Sequence, residues 1–380
     1  MPDRTALDAA AAAIGSARQT FPAPAAAAPA LPSRVARELR AALGFVFGLV
    51  AGFTAYAHHD DRLVVPFALL AIVLLAGAAL ALRERPRIAS RARRWGRRLV
   101  TGAAAVALLL FVVTPIGGAV WLTQAPRERV DANALPLAHE DVELHTSDGL
   151  RLAAWYVPSR NGAAVVVAHG GGGTREGSVR HTLMLARHGY GVLLYDARGN
   201  GESEGRHDAM GWTWEPDVEA AATWLSHRQG VDPHRIAALG ISTGAEAVLQ
   251  AAAHDPRIAA VVSDGAIARN LAETRQLEGP AEAQAVPYYG LMYATLRVLT
   301  GHPQPPPLQR LIPSIAPRPV LLIASGEGIE RTMNRAYHRA GPASQLWELP
   351  AVEHTRGLRD EPTRYERRVT TFLDRALAHS

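Results

Sequence analysis

The pattern of apolar and polar positions divides the 380-residue chain into three parts. Residues 1–33 are rich in Ala and Pro and hold few large apolar side chains, which predicts a disordered tail. Residues 34–125 contain three long apolar stretches, whose lengths suit helices that cross about 30 Å of hydrocarbon. These stretches lie at residues 41–57, 63–82 and 99–122. We therefore predict three transmembrane helices and a lipid bilayer as partner.

The arginines beside these stretches predict their orientation. Eight arginines stand between the second and third stretches, in residues 83–98, and three more stand directly before the first stretch, in residues 34–40. Arginine-rich segments of this length stay on the cytoplasmic side of a membrane. The chain after Leu122 is then expected on the non-cytoplasmic side, in a multi-pass protein of the cell membrane.

Residues 136–380 have the pattern of a soluble α/β domain. Short apolar runs alternate with helix-length amphipathic segments, and the middle runs are almost wholly apolar, as in parallel strands covered on both faces. The expected strands are Val142–Thr146, Arg151–Val157, Ala163–Ala168, Gly191–Tyr195, Arg235–Gly240, Ile258–Ser263, Val320–Ala324 and Gln345–Leu349. The pattern predicts a mostly parallel, doubly wound sheet with an antiparallel pair at its start and an insertion over residues 266–317.

Composition narrows the function. The net charge of +5 is concentrated in the arginine run beside an apolar stretch, which indicates membrane topology and not a nucleic-acid surface. The chain has no cysteine, which excludes a disulfide framework, a thiolate nucleophile and a cysteine-based metal site.

Ser242 is the candidate nucleophile. It stands in Gly240-Ile241-Ser242-Thr243-Gly244, between a predicted strand and an Ala-rich helix. A serine on such a tight turn presents its hydroxyl above the sheet edge, and the following helix directs positive partial charge towards a developing oxyanion.

A glycine run supplies the other half of a candidate oxyanion hole. Residues His169–Gly173 read His-Gly-Gly-Gly-Gly and follow an apolar strand. Consecutive glycines allow backbone N–H groups to turn towards the nucleophile. We assign the oxyanion donors to Gly171 and Thr243.

These two motifs, with Asp196–Gly205 between them, resemble the α/β-hydrolase superfamily, and most of all its Bem46-like and dienelactone-hydrolase-like serine hydrolases. The resemblance covers roughly residues 140–378. It implies an eight-stranded sheet, a Ser–acid–His triad, and hydrolysis of ester or thioester bonds in a small-molecule substrate without cofactor or metal.

The resemblance also places the catalytic histidine after the last strand. His354 follows the run Gln345–Leu349 and precedes the C-terminal helix, and its near-neutral pKa suits a base that takes the Ser242 proton. The acid is a departure, because Ile329 stands where the family places an aspartate. Glu330, preferred, Glu327 and Asp264 are the candidate carboxylates.

Three functions remain open from the sequence. The first is a membrane-anchored carboxylesterase or thioesterase that works through an acyl-enzyme. The second is a catalytically weak hydrolase-like membrane protein that binds a ligand or partner, which the missing aspartate favours. The third is a peptidase whose insertion acts as a lid.

Overall fold

The computed structural model describes most of the chain after residue 111. The described residues are 102, 112–124, 127–208, 210–277 and 280–378, without the side chains of residues 280–285. The chain separates into two units, residues 1–105 and 106–380, and the strands and helices named below belong to the second.

An eight-stranded sheet forms the centre of this unit. Its strands are β1 Glu140–His145, β2 Arg151–Val157, β3 Ala164–Ala168, β4 Gly191–Tyr195, β5 Ile236–Ile241, β6 Ile258–Asp264, β7 Val320–Ser325 and β8 Ser344–Leu349. They lie in the order β1-β2-β4-β3-β5-β6-β7-β8. Strand β2 is antiparallel to its neighbours β1 and β4, and the other pairs are parallel. The predicted mostly parallel sheet is confirmed.

Helices connect the strands. They are α1 Thr114–Gln124, α2 Val179–Arg187, α3 Glu215–Ser226, α4 Thr243–His254, α5 Leu271–Thr274, α6 Pro280–Thr300, α7 Leu308–Leu311, α8 Gly328–Ala340, α9 Gly357–Asp360 and α10 Pro362–Leu377. Among the described residues, two short 3-10 helices lie at Arg175–Ser178 and Ile312–Ile315.

The sheet is covered on both faces, which explains its apolar strands. Successive residues of β3 point to opposite faces. Val166 belongs to the apolar cluster that includes residues of α3, α4 and α8, whereas Val165 and Val167 belong to the cluster that includes residues of α2 and α10. All residues of β3 and β5 are buried, so a polar residue at most of these positions would face a helix.

The insertion between β6 and β7 carries α5, α6 and α7. Helix α6 packs against α1, and Ala119, Met292 and Leu296 meet in a small apolar cluster between them. This cluster joins the insertion to the segment that precedes the hydrolase-like sequence.

The predicted tail and the first two apolar stretches lie outside the described residues, as do residues 99–101 and 103–111 of the third. The remainder of the third overlaps α1. Within the described part of the chain, no helix combines the length and the apolar character that crossing a bilayer requires.

Candidate active site

Ser242 lies on a sharp turn between β5 and α4. Its backbone has φ 53° and ψ −120°, a conformation that residues other than glycine rarely adopt. The turn forms because its flanking residues lack side chains. A Cβ at Gly240 would lie 2.2 Å from the Gly244 carbonyl oxygen, and one at Gly244 would lie 2.4 Å from that of Ala168. The close backbone packing therefore requires this Gly-x-Ser-x-Gly sequence.

His354 connects the serine to a carboxylate. It lies in the loop after β8, with Nε2 2.9 Å from the Ser242 Oγ and Nδ1 2.6 Å from the Glu330 Oε2. In the tautomer that fits both contacts, Ser242 donates to Nε2 and the Nδ1–H donates to Glu330. The structure thus brings the three preferred site residues into one hydrogen-bonded line.

Glu330 is held in place by Ser325, the last residue of β7. The Ser325 N–H donates to Oε1 at 2.5 Å and its hydroxyl donates to Oε2 at 2.7 Å. Glu330 is only 1% exposed and lies in the first turn of α8. A buried carboxylate with both oxygens bonded has one orientation available, and that orientation faces His354.

The charges around His354 favour its protonated form. The hydrogen bond to Glu330 raises the pKa of His354 above its ordinary value, against the opposing effect of burial. The charges of Glu330, Glu327 and Asp264 also raise it. An imidazolium formed by taking the Ser242 proton is therefore stabilised, as a general base requires.

The other two candidate acids do not contact the imidazole. Glu327 is exposed at the start of α8, and its Oε1 accepts a hydrogen bond of 3.3 Å from the His354 backbone N–H. Asp264 is buried at the end of β6, where Tyr365 donates to its Oδ2 at 2.7 Å. The alternative assignments of these residues as the orienting acid do not match this geometry.

Three side chains beside the nucleophile carry atoms of the kind that bind metal ions. Ligand atoms of Glu327, Glu330 and His354 lie within 4.8 Å of one another, the one such group among the described residues. The Glu330 oxygens already accept hydrogen bonds from Ser325 and His354. These side chains therefore fit proton transfer better than metal binding.

The glycine run lies beside the nucleophile. A Cβ at Gly170 would be 3.5 Å from the Cβ of Ser242. The N–H of Gly171 has no hydrogen-bond partner in the described part of the chain. Thr243 is the first residue of α4, at the positive end of the helix dipole. Thr243 thus follows Ser242 directly, and Gly171 follows the glycine that packs against Ser242.

His169 has a structural role in this loop. Its Nε2 accepts from the Ala197 N–H at 2.9 Å, and Nδ1 lies 2.7 Å from the Gly170 carbonyl oxygen. Burial lowers the pKa of His169, which keeps the ring neutral in this arrangement. The ring therefore ties the glycine run to the loop after β4.

Sequence reasoning missed two residues that hold the carboxylates near His354 by hydrogen bonds. Ser325 and Tyr365 contact Glu330 and Asp264 respectively. Neither stands in a recognisable motif. Ser325 could have been found only as the polar end of an apolar strand.

Ring contacts join two tyrosines of the insertion, Tyr289 and Tyr293, to Trp212, which lies near the site. The Trp212 and Tyr293 rings lie 5.6 Å apart, and Tyr293 stacks on Tyr289 at 5.7 Å. The neighbouring Gly211 lies against the Thr243 side chain. An aromatic layer therefore connects α6 with the turn that carries the nucleophile.

Comparisons with known proteins agree with this fold. Residues 120–356 match the family model described as X-Pro dipeptidyl-peptidase (S15 family). A protein of Mycobacterium tuberculosis, described as uncharacterised, is 38% identical over 231 residues, which are 59% of this chain and 74% of the relative. The thiohydrolase aneE of Aspergillus aculeatus is 34% identical over 129 residues, 33% of this chain and 41% of its own.

Among solved structures, the esterase Pf2001 of Pyrococcus furiosus matches with a TM-score of 0.52 and 22% identity, over 66% of this chain and 98% of that chain. At that identity the likeness shows the fold alone. Together with the matched family model, it places the chain: this protein belongs to the X-Pro dipeptidyl-peptidase (S15) family of the α/β-hydrolase superfamily.

Proposed function

We propose that this protein is a serine hydrolase that cleaves ester or thioester bonds through an acyl-enzyme. Ser242 attacks the carbonyl carbon while His354 takes its proton, and the protonated His354 then gives a proton to the leaving group. Glu330 orients the imidazole, and the N–H groups of Gly171 and Thr243 stabilise the oxyanion. The observation that carries the proposal is the unbroken line of hydrogen bonds from Glu330 through His354 to Ser242.

The same observation favours an enzyme over a binding module. The binding-module hypothesis arose because Ile329 stands at the family's aspartate spacing. Glu330 meets the requirement that the aspartate would have met, a buried carboxylate on the Nδ1 side of the histidine. A domain that only bound a ligand would have no need for this alignment.

Two observations bear on the bond that is cleaved. The insertion presents an apolar and aromatic layer, which suits an acyl group, and the resemblance to Bem46-like and dienelactone-hydrolase-like enzymes also favours esters. A peptidase is the second candidate, because the matched family is described by its X-Pro dipeptidyl-peptidases.

Hydrolysis assays on the purified full chain distinguish the two. We expect turnover of p-nitrophenyl acetate and butyrate that is abolished in Ser242→Ala, and little cleavage of X-Pro p-nitroanilides. Preferential, Ser242-dependent cleavage of the X-Pro anilides would replace the esterase proposal with the peptidase. Equal ester turnover in the wild type and Ser242→Ala would contradict both.

We further propose that the enzyme is held at the cell membrane by its N-terminal apolar stretches, with the hydrolase domain on the non-cytoplasmic side. Support comes from the arginine distribution and from α1, which buries Ala119 but exposes the apolar side chains of Ile116, Val120 and Trp121. A helix with apolar residues on all its faces is typical of a membrane environment.

A further inference from the structure

Asp264 is a buried carboxylate that the proposed mechanism does not use, and it lies next to the triad. It ends β6, between β5, which leads to the nucleophile, and β7, which leads to the acid. Its backbone carbonyl accepts a hydrogen bond of 2.8 Å from the Ser242 N–H. The position of residue 264 therefore helps to fix the backbone of the nucleophile.

The next residue, Gly265, supports the histidine. It has φ +84°, and a Cβ there would lie 2.6 Å from the Thr355 Cγ2 and 3.0 Å from the His354 Cε1. Its N–H donates to the Ile323 carbonyl oxygen at 3.1 Å. Residues 264 and 265 thus lie against Ser242 and His354, the two residues between which the proton moves.

A buried chain of polar groups holds the Asp264 side chain. The Tyr365 hydroxyl donates to its Oδ2 at 2.7 Å and lies 3.3 Å from the His181 Nε2. All three residues are buried, and burial lowers the pKa of His181 to about 4, so its ring is neutral near pH 7. Since the hydroxyl has one hydrogen, the His181 Nε2–H donates to the tyrosine oxygen while Asp264 is ionised.

The groups that face Asp264 come from four elements. They are Tyr365 on α10, His181 on α2, Glu330 on α8, and His354 after β8. Burial, and then the charge of Glu330, raise the pKa of Asp264 to about 7, although the Tyr365 hydrogen bond and His354 lower it. Asp264 therefore changes charge near neutral pH, and its negative form raises the pKa of His354.

We propose that Asp264 is a positioning residue of the hydrolase site. Tyr365 and His181 hold its side chain, so that residue 264 fixes the backbone beneath Ser242 and His354. Catalysis then depends on the ionisation of Asp264 as well as on that of His354. This inference rests on the proposed function, because it takes Ser242 and His354 to be the nucleophile and base. Asp264 acts through them and does not touch the reacting atoms.

The pH dependence of labelling by a fluorophosphonate probe tests the inference without a known substrate. In the wild type we expect the rate constant to rise with pH in two steps, one for His354 and one for Asp264. In Asp264→Asn we expect one step, with its midpoint lower by roughly half a pH unit because a neighbouring negative charge is lost. The plateau should fall about threefold, the rate equivalent of that shift.

Tyr365→Phe provides a second variant that keeps the carboxylate. Loss of its hydrogen bond should move the Asp264 step to higher pH, whereas Asp264→Asn removes that step. Asp374→Asn is the matched control, because Asp374 lies on the same helix as Tyr365 and also accepts a tyrosine hydrogen bond, of 2.5 Å from Tyr190. This replacement should leave the profile unchanged.

The inference would be overturned if the labelling rate of Asp264→Asn and Tyr365→Phe changed with pH at the wild-type midpoints, whatever the amplitude of the change. That result would leave the proposed function intact. If Asp264→Asn does not fold, the direction of the Tyr365→Phe shift decides. Labelling that persists in Ser242→Ala would instead contradict the proposed function.

Discussion

The carboxylate of Glu330 reaches His354 although it stands one residue beyond the spacing at which related hydrolases carry an aspartate. Two features make this reach effective. The side chain has one more methylene than aspartate, and Ser325 donates to both of its oxygens and so fixes its direction. A change in spacing is thus offset by a longer side chain together with a specific support.

Replacement of Glu330 by Gln should lower kcat by about a hundredfold or more, with little change in KM, because the imidazolium loses its stabilising charge. The hydrogen bond to Glu330 is the main cause of the raised pKa of His354. Activity requires neutral His354 and is lost as pH falls through that pKa. In Glu330→Gln the acid limb of kcat against pH should therefore move to lower pH, as measured with p-nitrophenyl acetate.

Glu327→Gln is the matched control, because this exposed side chain accepts a hydrogen bond from the His354 backbone N–H and none from the imidazole. We expect it to retain kcat within about threefold of the wild type. A larger loss in Glu327→Gln than in Glu330→Gln would reverse the assignment.

The sequence allowed some of these residues to be assigned a role, but not all of them. Ser242 and His354 could be identified because their local turns follow directly from the chain. The sequence favoured Glu330 as the acid but left Glu327 and Asp264 as alternatives. The distance from either glutamate carboxylate to His354 depends on how α8 begins after β7. The contact between Asp264 and Tyr365 could not be predicted, because 101 residues separate them and both read as ordinary positions in their elements.

At the scale of elements, a buried glutamate contributes several of the hydrogen bonds that close the insertion at its base. Glu273 accepts hydrogen bonds from the Arg269 N–H at 3.0 Å, the Asn270 amide at 3.1 Å and the Leu308 N–H at 2.7 Å. These donors come from both ends of the insertion. Glu273 therefore holds the start and the end of the segment together.

Replacement of Glu273 by Ala should lower the free energy of unfolding by about 2–4 kcal/mol, since the buried N–H groups of Arg269 and Leu308 lose their acceptor and the Asn270 amide loses one of its two. Urea unfolding measures this, and limited proteolysis should show faster cleavage within residues 270–308. Gln276→Ala, which removes exposed hydrogen bonds to Gln309 across the same two ends, should change stability by less than about 0.5 kcal/mol. Equal protease resistance of wild type and Glu273→Ala would show that the insertion is closed by other contacts.

The predicted strands were correct within two residues at each end, whereas the predicted insertion gave no helix bounds. Apolar runs such as Ala164–Ala168 define their strand through burial on both faces. The helices of the insertion depend on contacts with α1 and Trp212, which are distant in sequence. Its local pattern therefore carried less information.

At the scale of the whole molecule, the proposed arrangement joins an N-terminal membrane region to a hydrolase domain. We expect a phosphatase reporter that is active only after export to be active when fused at the C-terminus, because the eight arginines in residues 83–98 predict that this loop stays in the cytoplasm. The same reporter fused at Trp95, within the loop, is the matched control and should be inactive. Strong activity of a cytoplasm-only reporter at the C-terminus would contradict the topology.

The central claim is that Ser242 is a nucleophile activated by His354, and covalent labelling of the purified full chain tests it most directly. A fluorophosphonate probe followed by mass spectrometry of the peptides should find one label, on Ser242. His354→Ala should slow labelling by at least about a thousandfold, and Ser242→Ala should abolish it. No labelling of the folded wild type, or undiminished labelling of Ser242→Ala, would contradict this claim.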